Sequence, residues 1–153
     1  MSALGIGGCG VKAIGMKLIL VRGCFDVPHI GHVLHLEQAR AMGDILLVSV
    51  TPDEYVNKGH GRPVFTTAQR VAVLNSLKCV TLAFAASAPT AVPEILLLKP
   101  ALFVKGPDAR TDTSNGLRAE IEAVRRHGGD IAYTDCEIFS STEIHKHYME
   151  DLG

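Results

Sequence analysis

Two histidines frame a glycine in Pro28-His29-Ile30-Gly31-His32. Imidazole nitrogens donate hydrogen bonds to phosphate oxygens, and the glycine lets backbone approach a ligand closely. A helix starting here adds free N–H groups and partial positive charge. The plainer alternative is a capping turn that happens to hold two histidines. Ser140-Ser141-Thr142 groups three hydroxyls at another expected helix start, an anion site or an ordinary N-cap. Lys58, in Lys58-Gly59-His60-Gly61-Arg62-Pro63, and Lys105, in Lys105-Gly106-Pro107-Asp108, follow strand-like runs. Each can reach a phosphate or remain a solvated surface charge. Asp26 and Asp108 are candidates for Mg2+ or a ribose hydroxyl, or for simple Asx-turns. No nucleophile with a triad-like base stands out. Basic groups and helix N-termini around one crevice suit transfer of a nucleotidyl group. An incoming phosphate is already nucleophilic at neutral pH, so the protein need only align it and stabilise developing charge.

The elements that must position these groups alternate along the chain. Apolar runs of strand length cover Lys17–Gly23, Asp44–Val50, Val80–Ala85, Ala101–Lys105 and Asp130–Tyr133. Helices are expected over Gly31–Met42, with Gly43 as its C-terminal cap, from Thr66, over Thr90–Lys99, over Asn115–His127 and from Ser140. Thr66 with Gln69, and Ser140 with Glu143, have capping-box spacing. Val71, Val73, Leu74 and Leu77 are read as the buried face of the second helix. Pro93 fits a first turn, where its missing N–H does no harm. Residues 106–117 are read as one long, mobile polar loop. The alternation predicts an α/β fold: a Rossmann-like, doubly wound, parallel five-stranded sheet in a single domain. Ligands of such sheets bind at the carboxyl ends of the strands.

Composition narrows the classes. The 153 residues carry 15 basic and 16 acidic side chains, a net charge of −1. That argues against a sequence-wide attraction to nucleic acid or to an anionic membrane. With 47% hydrophobic and 20% charged residues, wholesale disorder is excluded. No apolar run is long enough for a membrane span. Cys9, Cys24, Cys79 and Cys136 are scattered, which reads as free thiols in a reducing cytosol. Residues 1–16 are expected to be a flexible, Gly-rich extension without a signal-peptide pattern, and 17–153 to be the domain.

The strings GCFDVPHIGH, KGHGRP, VKGPD and FSSTEI, in this order and spacing, resemble the cytidylyltransferase-like family of nucleotidyltransferases. Within it they look like the nucleotidyltransferase domain of ADP-heptose synthases, with glycerol-3-phosphate cytidylyltransferase next. The resemblance implies reaction of an NTP, ATP or CTP, with a phosphorylated sugar or polyol, releasing pyrophosphate. It implies that His29 and His32 contact the nucleotide phosphates and stabilise the pentavalent transition state, with Lys58 binding phosphate. Cys24, Phe25 and Asp26 would line the nucleotide pocket. Lys105, Gly106 and Asp108 would shape its nucleotide or acceptor side, with Arg62 and Arg70 toward the acceptor. Ser140, Ser141 and Thr142 would hold the β- and γ-phosphates. Mg2+ would arrive on the triphosphate, with Asp26 a candidate protein ligand. Relatives are usually homodimers.

The chain departs from these patterns at Thr81, where relatives tend to have Asp, and at Ala109, where heptose enzymes have Tyr. It also lacks an arginine in Asp135–Phe139, just before the serine-threonine motif, as heptose enzymes do. His35 is assigned to the first helix's surface or to a dimer contact, outside the chemistry. The alternatives are a phosphopantetheine-type adenylyltransferase and a non-catalytic nucleotide-binding module.

Overall fold

The computed structural model describes residues 15–136 and 141–151, apart from some side chains of the last helix. The expected N-terminal extension, the Ser140 capping box and the start of FSSTEI therefore lie mostly outside the described residues. The chain runs β1 (Leu18–Gly23), α1 (Ile30–Ala41), β2 (Ile45–Val50), α2 (Thr67–Asn75), β3 (Leu82–Ala85), α3 (Val92–Leu98), β4 (Leu102–Lys105), α4 (Asn115–Arg126), β5 (Asp130–Tyr133) and α5 (Ser141–Asp151).

The five strands form one parallel sheet in the order β3-β2-β1-β4-β5. Successive strand residues point to opposite faces. Ile19 and Val21 of β1 therefore join Leu36 and Ala39 of α1 and Leu74 of α2 in one core. Leu20 turns the other way, with Phe103, to meet Ile95 of α3 and Ala123 and Val124 of α4 in a second. Helices on both faces force the strands to be apolar throughout, and each fully buried aliphatic side chain contributes about 1.5–3 kcal/mol. The α/β doubly wound expectation describes this architecture. The order reverses direction between β1 and β4, which opens a crevice at their carboxyl ends.

Local chemistry sets the element ends. Thr66 caps α2, its hydroxyl accepting from the Gln69 amide at 3.3 Å while Gln69 Oε1 accepts from the Thr66 amide at 3.0 Å. Lys99 ends α3 in a left-handed turn, φ +48°. Four expectations are corrected. Met42, not Gly43, is the C-cap of α1; a Cβ at Gly43 would lie 2.7 Å from the Lys17 carbonyl, so close strand packing excludes a side chain there. Val73 is 42% exposed, and Leu74 carries the buried face of α2. β3 begins at Leu82, because the Thr81 hydroxyl instead accepts the Leu46 amide at 3.0 Å. The 106–117 stretch is not one open loop: Pro107–Thr111 forms a 3-10 turn and Ser114 caps α4. No helix among the described residues is long and apolar enough to cross a membrane.

Candidate active site

A cavity of about 240 Å3 opens at the point where the strand order reverses. It is lined from β1 and α1 by Arg22, Gly23, Cys24, Phe25, His29, Gly31, His32 and His35. Lys58 comes from the loop after β2, Gly106, Pro107 and Asp108 from the loop after β4, and Cys136 from beyond β5.

The two histidines of the first motif cap their own helix. The Gly31 amide donates to His29 Nδ1 at 3.1 Å, and the His29 amide donates to His32 Nδ1 at 3.3 Å. A ring that accepts at Nδ1 carries its proton on Nε2 when neutral, so each imidazole is set as an Nε2–H donor. The rings stack with centroids 3.9 Å apart at 26°. Burial, with help from the Lys58 ammonium, lowers the pKa of His29. Burial, then the like charges of His29, Lys58 and His35, outweigh Asp26 and hold His32 at about 3. Both rings are therefore neutral near pH 7. They offer fixed dipoles to an anion at a helix N-terminus, with no charge that must first be removed.

The loop that presents them is strained. Phe25 and Val27 have φ of +53° and +50°, a region that non-glycine residues occupy at a cost of about 1–3 kcal/mol each. Asp26, between them, holds the loop in that shape. Its carboxylate is fully buried, pairs with Arg62 Nε at 2.7 Å and accepts the Val64 and Phe65 amides at 2.9–3.1 Å. Burial alone would raise the Asp26 pKa; the Val64 amide, Arg62 and the Phe65 amide reverse this and hold it below the usual carboxylate range. Phe25 folds back over Gly23, where an added Cβ would lie 2.8 Å from its ring, and meets His32 edge-on at 5.3 Å.

Three expected ligand-binding residues prove to be structural ties. Asp26 presents no open oxygen for Mg2+ or a ribose, because both oxygens hold the KGHGRP loop. Arg62 joins Asp26 to the start of α5, donating to the Thr142 hydroxyl at 3.3 Å. Arg70 is fully buried in α2, and its guanidinium reaches the carbonyls of Cys24, Thr51 and Phe65 and the Asp53 carboxylate at 2.6 Å. It fastens the loops after β1 and β2 to α2; it does not itself line the cavity but holds from behind one residue that does, Cys24. Thr142 is brought against the KGHGRP loop, whereas Ser140 and the Ser141 side chain lie outside the described residues.

On the β4 side, Gly106 and Asp108 line the cavity, but Lys105 does not; its ammonium lies 5.5 Å from the Phe103 ring centre. A Cβ at Gly106 would come within 2.9 Å of an Asp108 carboxylate oxygen. His35, placed by sequence on the helix surface, lines the same cavity, and its Nδ1 shares a 2.7 Å hydrogen bond with the Thr134 hydroxyl. The signal was present: histidines at 29, 32 and 35 recur every three residues and share one helix face. Arg22 was also missed. It reads as part of an apolar strand, yet it ends β1 beneath the cavity, donating to the carbonyls of Ala88 at 2.5 Å and Thr90 at 3.0 Å.

Among the described residues, no three His, Cys, Asp or Glu side chains converge as a metal site. With Asp26 engaged, Asp108 is the carboxylate candidate that lines the cavity.

The family model described as Cytidylyltransferase-like matches residues 20–147. The bifunctional protein HldE of Azotobacter vinelandii is 43% identical over 123 residues, 78% of this chain and 25% of that protein. HldE of Pseudomonas savastanoi pv. phaseolicola is 43% identical over 119 residues, 75% of this chain and 24% of that protein. The chain thus spans about a quarter of the length of the curated relatives it matches. Among solved structures, the lipopolysaccharide core biosynthesis protein of Thermoplasma volcanium GSS1 superposes with a TM-score of 0.65 at 24% identity. That match covers 82% of this chain and 100% of the other. The pantoate-beta-alanine ligase of Francisella tularensis superposes with a TM-score of 0.58 at 13% identity, covering 86% and 66%. At these identities the two structures show a shared fold.

Proposed function

The chain belongs to the cytidylyltransferase-like family of nucleotidyltransferases, and from that premise we propose that it transfers an NMP group from ATP or CTP to a phosphorylated sugar or polyol. An acceptor phosphate oxygen attacks the α-phosphorus in line. The new P–O bond forms as the bond to the β-phosphate oxygen breaks, and pyrophosphate leaves with the electron pair. The attacking oxygen needs no deprotonation, which accords with a site built from neutral donors.

One observation carries this reading: His29 and His32 cap α1 reciprocally through Nδ1, so both Nε2–H groups are preset at a helix N-terminus beside the cavity. Donors fixed before the reaction stabilise equatorial oxygens without reorganising. Lys58 adds a positive charge on the same wall and takes the acceptor's phosphate or a leaving phosphate. Cys24, Phe25, Gly106 and Asp108 enclose the nucleotide. The start of α5, with Ser140, Ser141 and Thr142, takes the β- and γ-phosphates; the Arg62–Thr142 bond supports this by tying that helix to the KGHGRP loop. Mg2+ enters with the triphosphate as its counter-ion. Asp26, Arg62 and Arg70 act by holding the loops.

The test is a matrix of ATP and CTP, with Mg2+, against phosphorylated sugars and polyols, read as pyrophosphate release. At least one pair should turn over. Tight NTP binding by calorimetry without turnover anywhere in the matrix would overturn catalysis in favour of a nucleotide-binding module.

A further inference from the structure

We propose that His35 is a specificity-determining residue whose Nε2 hydrogen-bonds the nucleoside of the NTP donor. This rests on the nucleotidyl-transfer reading above. His35 lies one turn beyond His32 on the cavity-facing side of α1, roughly 4.5 Å further along the axis. The phosphates belong at the first turn, where the positive end of the helix dipole lies beside His29 and His32. The next turn therefore meets the part of the ligand that follows the α-phosphate.

The ring is held for such a role. Its Nδ1 is tied to Thr134 Oγ1 at 2.7 Å. Thr134 is 1% exposed, and its amide is fixed to the Lys105 carbonyl at 3.0 Å, at the joined ends of β4 and β5. Among the described residues, Nε2 of His35 has no hydrogen-bond partner, and it is not one of the sealed, unsatisfied atoms. A preorganised nitrogen is thus open toward the cavity.

Charge separates donor from acceptor. Lys58 acts electrostatically on His29 and His32, whereas the charges that act on His35 are Asp108, which lines the cavity, and, more weakly, Lys105, which does not. A doubly charged acceptor phosphate favours the lysine. An uncharged nucleoside suits the part beside a carboxylate, where an open nitrogen reads the donor and acceptor pattern of a base.

The test compares His35→Leu, which removes the hydrogen bond, with His35→Gln, which keeps an amide at similar reach. Calorimetry gives the affinities of the wild-type chain and both variants for ATP, CTP and inorganic tripolyphosphate; thermal melts confirm folding. The wild-type chain should distinguish ATP from CTP. His35→Leu should weaken the preferred nucleotide about tenfold, the scale of one lost hydrogen bond, and shrink the ATP-to-CTP ratio. Tripolyphosphate affinity should stay unchanged, and His35→Gln should restore part of the ratio. An unchanged ratio, or an equal loss of tripolyphosphate binding, overturns the proposal. So does a rise in acceptor KM with nucleotide affinity intact. Failure of turnover by the wild-type chain would instead reject the catalytic reading, because the binding comparison needs no reaction.

Discussion

The polar residues at the carboxyl ends of the strands divide into two groups with opposite fates. Behind the cavity, Asp26 pairs with Arg62 and Arg70 with Asp53, and their other bonds go to backbone amides and carbonyls and to the Thr142 hydroxyl. In front, His29, His32 and His35 are pinned at Nδ1, which fixes each ring; Nε2 of His35 faces the cavity, whereas Nε2 of His29 is buried. Full charges are costly to bury and demand several fixed partners, so they become the frame. A neutral imidazole pinned by one local bond keeps the hydrogen-bonding capacity of its second nitrogen and carries no charge to neutralise, so it can be held in place and still serve a ligand. The division ties the two regions together. The strained backbone at Phe25 and Val27 leads into His29, and the Asp26 latch holds it there.

Breaking the frame has the largest expected effect. Arg70→Ala takes one partner from the Asp53 carboxylate and from three carbonyls, and Asp26→Ala removes the carboxylate that Arg62 and the Val64 and Phe65 amides share. Asp26→Ala should cost about 3–5 kcal/mol of folding stability, the scale for removing one member of a buried pair; Arg70→Ala, whose Asp53 partner is half-exposed, should cost about 1–3 kcal/mol for each buried carbonyl it orphans. Urea denaturation measures it. A loss under about 1 kcal/mol in either variant would mean the network is solvated and the division wrong.

Breaking the front should leave the fold nearly intact and remove turnover. His29→Asn keeps a side chain able to cap α1 but moves the donor, and His32→Ala removes one outright. Each should lower kcat by about 10²–10³, the effect of losing a preorganised donor to transition-state charge. The measurement is pyrophosphate release at saturating substrate, beside a melting curve. A double variant that keeps wild-type turnover would put the chemistry elsewhere.

Acid sharpens the contrast, because the two regions lose stability in different pH windows. Folding holds His32 at about 3, whereas the unfolded chain protonates it near the usual value of about 6.5. The unfolded state therefore takes up the proton first, and stability falls as pH drops below about 6.5. Asp26 is held below its usual range, so its contribution persists above about 3.9 and disappears only at lower pH. Between pH 7.5 and 5, His32 should account for up to about 2 kcal/mol of the loss. Replacing it with Asn should flatten the urea midpoint over that interval. An unchanged slope would show that the ring is already protonated in the folded chain.

The frame is also where sequence reading was weakest, for a physical reason. Apolar runs, the Thr66–Gln69 cap and the Gly31 turn are local patterns, and the strands, α1 and α2 formed where those patterns stand. A carboxylate or guanidinium after a strand reads the same whether it faces a ligand or another loop, and only the fold brings Val64 and Arg62 to Asp26 across 36–38 residues. Arg22 and His35 failed differently. Arg22 was absorbed into a strand that looked wholly apolar. The spacing of His35 matched that of its two neighbours, but an isolated helix does not show that its second turn borders Thr134, 99 residues on.

The smallest effect tests whether frame and site can be separated at all. Thr66 caps α2, the helix that carries Arg70, but neither of its capping bonds reaches the cavity. Thr66→Ala removes the hydroxyl that satisfies the Gln69 amide and the reciprocal anchor for Gln69, at a cost near 1 kcal/mol. The urea midpoint should fall by that amount while nucleotide KM stays within about twofold, because the bonds of Arg70 to Cys24 and Thr51 hold the loops independently of the first turn of α2. If KM rises in step with the lost stability, fraying at Thr66 reaches the histidines through Arg70. The frame would then be an adjustable part of the site, and its arginines would belong with the residues that tune substrate binding.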